Sequence, residues 1–123
     1  MQIDMTANRA MQAIADEGQT RTRWRRLVRE ILQIAGEHAE LIHHAEKAWT
    51  AVTFSGARHT VRLGFTGHQA MDEADQFIAA LPDHEFTIRG WLAADATIVA
   101  VEQQVFPEPK VTVEAEVLLL EDG

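Results

Sequence analysis

Near its C-terminal end the chain alternates Val111, Val113, Ala115, Val117 and Leu119 with Thr112, Glu114, Glu116 and Leu118. A period of two places the first set on one face of an extended segment and the second set on the other, so the segment is specified as a strand with one face buried and one wet. A strand of this kind is not stable by itself. It needs sheet partners and an apolar layer over its buried face. The rest of the chain must therefore supply further strands and a cover, and at 123 residues with 46% apolar and 24% charged side chains it has material for one such core.

The cover is legible at the other end of the chain. Residues 1–36 are read as an N-terminal helical segment, either one helix or a pair separated at Gly18, with Thr20 or Thr22 as a cap. Trp24, Leu27, Val28, Ile31, Ile34 and Ala35 recur at three- and four-residue intervals as one apolar stripe, and Gly36 is placed to stop the helix. Residues 37–46 read as a short strand in preference to further helical turns. A hairpin is expected from Trp49 onward, with Thr50, Val52 and Phe54 on one arm, a turn at Ser55-Gly56-Ala57, and His59, Val61, Leu63 and Phe65 on the other arm.

A second short helix is expected over His68–Ala80, with Met71, Ala74, Phe77, Ile78 and Leu81 inward and Pro82-Asp83 ending it. Two strands follow, Glu85–Leu92 and Thr97–Gln104, with a turn near Ala93-Ala94-Asp95. Phe106-Pro107-Glu108-Pro109 reads as a stiff extended connector. The expected fold class is thus α+β in a single domain over 1–123: an N-terminal helix or helical pair, and an antiparallel sheet of five or six strands in meanders. The second short helix lies between the two strand groups, and the helices pack on one face.

Composition removes several function classes. There is no cysteine, so disulfide scaffolds, thiolate metal sites and thiol nucleophiles are excluded. The one serine, Ser55, lacks the preceding glycine of a nucleophile elbow, and no glycine-rich phosphate loop or dinucleotide fingerprint occurs. No cofactor is expected. The N-terminal residues lack the apolar run of a signal peptide and no segment has the ~20 apolar residues needed to span a bilayer, so the expected setting is cytoplasmic, without membrane association.

The net charge of −8 is unevenly spread: residues 1–36 carry six basic and four acidic side chains, whereas residues 37–123 carry five basic and fifteen acidic ones. An acidic body repels phosphates, and the second helix, opening through Asp72, Glu73 and Asp75, has none of the basic residues with which helices grip double-stranded RNA. Nucleic acid is not an expected partner.

The candidates for chemistry are few. His59 shares strand parity with Val61, Leu63 and Phe65, and with His84 and Asp83 it is the only grouping from which acid–base catalysis could be assembled. Position on an apolar face favours a histidine bonded at the rim of the core over a catalytic one. Glu40, His43 and His44 have helical metal-ligand spacing, but on a strand His43 and His44 face opposite ways and the site dissolves, so no metal is expected. Arg21, Arg23, Arg25, Arg26 and Arg29 place five of eleven basic residues within one short stretch. Arg25 and Arg29 flank the stripe that begins at Trp24, while Arg89 and Trp91 share one strand face. Trp24, Arg25, Arg29, Arg89 and Trp91 are therefore the candidate ligand or interface residues.

Two readings follow. The favoured one is a non-enzymatic binding or assembly module that forms a homo-oligomer through the N-terminal helix or an exposed sheet face. The alternative is a small-ligand-binding domain or a simple His/carboxylate acid–base enzyme with a pocket between sheet and helices.

Overall fold

A computed structural model describes residues 24–122. Helix α1 occupies 24–35 of these; then come β1 (Ala39–Thr50), β2 (Ser55–Thr66), α2 (His68–Ala80), a 3-10 turn (Leu81–Asp83), β3 (Trp91–Gln104) and β4 (Lys110–Glu121). The expectations about Gly18, Thr20, Thr22, Arg21 and Arg23 fall outside the described residues.

The four strands form one antiparallel sheet in the order β1-β2-β4-β3. The strand with the cleanest alternation, β4, is central: Val111, Val113, Ala115, Val117 and Leu119 are buried on the face that both helices cover. Beside them lie Val61, Leu63 and Phe65 of β2. Leu27 and Ile31 of α1 and Ala74 and Phe77 of α2 complete the core, with the Phe65 and Phe77 rings 6.1 Å apart and tilted. The opposite sheet face is mixed: ion pairs run from Arg62 to Glu114 at 3.2 Å and from Arg58 to Glu116 at 3.7 Å, while Trp49, Leu92, Leu118 and Leu120 share this face toward the β1–β2 turn.

Four strands, not five or six, is the first correction. One pair of expected strands fuses into one, and a second pair reduces to one because only the end of its first member is strand. Residues 37–46 and the arm beginning at Trp49 are a single strand, β1, so the hairpin turn lies at 51–54, where Ala51 N–H donates to the Phe54 carbonyl at 2.8 Å, and Ser55-Gly56-Ala57 is already strand. Likewise β3 runs straight through the expected turn at Ala93-Ala94-Asp95. The physical reason is a β-bulge. Register shifts between Ala93 and Asp95, and again between Ile98 and Ala100, each insert an extra residue that scrambles the period of two without ending the strand.

Most of the expected strand at 85–92 is instead irregular. Only the bridge Ile88↔Trp91 pairs there, and Arg89-Gly90 is the centre of a tight turn with Trp91 N–H donating to the Ile88 carbonyl at 2.9 Å. Gly90 has φ +86, the left-handed conformation that position i+2 of a type II turn demands, so its glycine marks the turn and not a strand bulge. Residues 105–109 are also not an extended connector. They close a hairpin between β3 and β4, and the Phe106–Pro107 bond is cis.

Gly36 ends α1 at φ +97, its N–H donating to the Leu32 carbonyl at 3.0 Å in the αL cap. The chain then turns directly into β1, which sets α1 alongside that edge strand.

Candidate functional site

The flank of α1 nearest β1 is only partly covered. Trp24, Val28 and Leu32 recur every four residues along it, and together with Ala39 they form the apolar floor of an open groove of about 700 Å³, rimmed by Arg25 and Arg29. Glu37 stands at the Gly36 end. Trp24 is held by a stack: its ring centroid lies 4.9 Å from that of His44, and His44 lies 5.1 Å from His59. The two imidazoles also share a hydrogen bond, His44 Nε2 to His59 Nδ1, at 2.9 Å.

That contact depends on a bulge in β1. Ala39 and Leu41 pair with Phe65 and Leu63 on the helix-covered face, and the register then shifts between Leu41 and His43, so that His44, opposite Val61, takes the inner face while His43, opposite Arg62, takes the outer one. Glu40, opposite Gly64, is also on the outer face. The three metal-spaced residues are thus split between faces, and among the described residues no group of three or more His, Asp or Glu side chains is disposed to hold a metal ion. Burial holds His44 below the usual imidazole pKa; Glu46 opposes that shift and His43 adds to it.

His59 is fully buried. It is hydrogen-bonded to His44, whereas His84 places Nε2 3.2 Å from Glu30 of α1 and packs its ring edge-on against Phe86. Asp83 is exposed at the end of the 3-10 turn. The imidazoles named as acid–base candidates are therefore engaged separately, His59 beneath α1 at the Trp24 end and His84 against the middle of the helix.

Glu30 acts as a strut: its carboxylate also accepts from Thr87 N–H at 3.1 Å and from the Thr87 hydroxyl at 3.2 Å, tying the 84–90 segment to α1. Beside it a smaller cleft of about 300 Å³ brings Arg26, Arg29 and Arg89 together. Trp91, one of the candidate interface residues, is half-buried and packs against the core from the start of β3.

Sequence reasoning missed the hairpin tips. Val52 and Phe54 in the β1–β2 turn are 103% and 52% exposed, and Val105 and Phe106 in the β3–β4 turn are 76% and 86% exposed. Large apolar residues in a turn, beside prolines and carboxylates, are the signal that could have found the second pair. The register puts the two tips at opposite ends of the sheet, since β2 begins opposite Leu120 and ends opposite Lys110.

Among the described residues no helix is long and apolar enough to cross a membrane. No family model matches the chain, and no curated protein matches it. Among solved structures, it is similar in fold to a chain from the structure titled "Virion of native gene transfer agent (GTA) particle", with 15% identity, 70% of each chain covered and a TM-score of 0.56. At that identity the likeness concerns the fold alone.

Proposed function

We propose that this protein is a non-enzymatic assembly module that associates with copies of itself. The observation that carries this reading is where the most exposed large apolar side chains concentrate: Val105 and Phe106 at one end of the sheet and Val52 at the other, with Phe54 beside it and an open apolar groove along α1. Apolar turn tips gain nothing in an isolated domain, whereas burying one such side chain against a partner is worth about 1.5–3 kcal/mol. The similarity in fold to a chain of a virion particle supports the same reading.

The alternative, a small-ligand binder, draws its support from the arginine-lined cleft beside Glu30. Native mass spectrometry of freshly purified protein separates the two. Clean multiples of the chain mass are expected at tens of micromolar. A strictly monomeric protein would refute the assembly reading, and a reproducible mass excess lost on denaturation would replace it with the ligand-binding one.

A further inference from the structure

The groove along α1 and the β3–β4 tip have complementary chemistry. The groove offers Trp24, Val28 and Leu32 between two exposed guanidiniums, Arg25 and Arg29, and neither guanidinium takes an ion pair among the described residues. The tip offers Val105 and Phe106 between Glu102 and Glu108, both exposed and likewise without an ion pair among the described residues. Each surface is an apolar centre with charged flanks, and the charges are opposite.

The two surfaces of one chain do not meet: Val105 and Phe106 are 76% and 86% exposed, and no tip residue lines the groove. The groove overlies the β1 edge at Ala39, while the tip projects from β4 and β3. Strand order β1-β2-β4-β3 puts β2 between β1 and β4, so the separation is two strand spacings, ~10 Å at the least. The tip is also tied down at its base, where Gly67 N–H donates to the Pro109 carbonyl at 2.9 Å.

Resting on the assembly reading above, we propose that the occupant of the α1 groove is the β3–β4 tip of a second copy of this chain. Phe106 seats beside Trp24, Glu102 and Glu108 meet Arg25 and Arg29, and Glu37 at the far end of the groove repels the acidic tip and so sets its direction. Tip and groove are different surfaces, so each copy offers both: two copies about a two-fold axis exchange tips reciprocally, and any other arrangement builds a ring where the rotation closes and a filament where it does not. Edge-to-edge strand pairing is the poorer route, since β1 carries one bulge and β3 two.

The test uses two fold-neutral variants. Phe106→Glu destroys the tip, and Arg25→Glu with Arg29→Glu reverses the groove rim; all three positions are exposed, and the circular dichroism and thermal midpoint of each variant should match the parent. Each variant alone is expected to be monomeric where the parent assembles, with Phe106→Glu weakening association roughly a hundredfold. Mixed in equal amounts, they should form heterodimers of twice the chain mass and nothing larger, because one intact tip and one intact groove remain. Adding Glu102→Arg and Glu108→Arg to the groove variant should restore self-assembly.

If either variant assembles like the parent, or if mixing leaves both monomeric, the tip-to-groove contact is overturned while self-assembly stands. A parent that is itself monomeric overturns both.

Discussion

His44 sits between an indole and a second imidazole, stacked on Trp24 at 4.9 Å and bonded to His59 at 2.9 Å. Burial favours its neutral form in the folded protein, so its folded pKa lies below the unfolded value of 6.5. The unfolded chain then binds more protons than the folded one as pH falls. Stability from this group is complete above 6.5 and is lost as pH drops through the folded pKa. His38 works in the opposite sense. Its hydrogen bond to Glu73 at 3.0 Å, reinforced by the charge of that carboxylate, raises its pKa, and its contribution fades as pH rises through that raised value. Urea denaturation between about pH 7.5 and 5.5 should therefore show His44→Phe with a flatter acid-side loss than the parent. At the upper end the variant should be about 1 kcal/mol less stable, because the His44–His59 hydrogen bond is gone. An unchanged pH slope would mean that His44 does not titrate with folding. The inward placement of His59 was legible from parity with Val61 and Leu63, but its partner was not, since only the bulge after Leu41 turns His44 inward in place of His43.

At the scale of elements, the pairing of β2 with β4 has one point with no slack. Gly56 pairs with Leu120, and a Cβ at Gly56 falls on the Leu119 carbonyl oxygen, so Gly56→Ala must push the two strands apart. We expect a loss of roughly 3 kcal/mol, read as a lowered urea midpoint with the slope kept. Gly90→Ala is the control: its Cβ meets nothing within 4 Å, so only the strain of φ +86 remains, about 1–2 kcal/mol. Equal losses would put Gly56 in an ordinary turn. The turn at Ser55-Gly56-Ala57 was expected because a glycine in a strand and a glycine in a turn look alike locally, and the difference is the backbone that arrives from 63 residues later. Helix α2, by contrast, covers the span its periodicity marks, because its stripe and its Pro82 stop are local signals.

For the whole molecule, charge and apolar contacts should separate in their response to salt. The tip-to-groove contact joins Arg25 and Arg29 to Glu102 and Glu108 at an exposed rim, where added salt screens the attraction. Sedimentation of the parent between about 0.05 and 0.5 M salt should show association weakened several-fold and not abolished, because Val105 and Phe106 remain buried against the partner. Association that strengthens with salt would assign the joint to apolar contact alone. The charged middle of the outer sheet face is expected to contribute little, since its carboxylates at Glu114 and Glu116 are already matched within the chain by Arg62 and Arg58.

By itself the sequence determined the amphipathic units: the stripe of α1, the stripe of α2 and the alternation of β4, each written in side chains a few residues apart and read by backbone geometry alone. Tertiary structure decided what those units could not encode. It decided how many strands there are, because bulges interrupt the period that counts them, and which histidine faces the core, because register is a property of two strands. It also decided that an apolar pair beside Pro107 stands exposed at a hairpin tip. All three depend on contacts between residues distant in the chain, where no local pattern reaches.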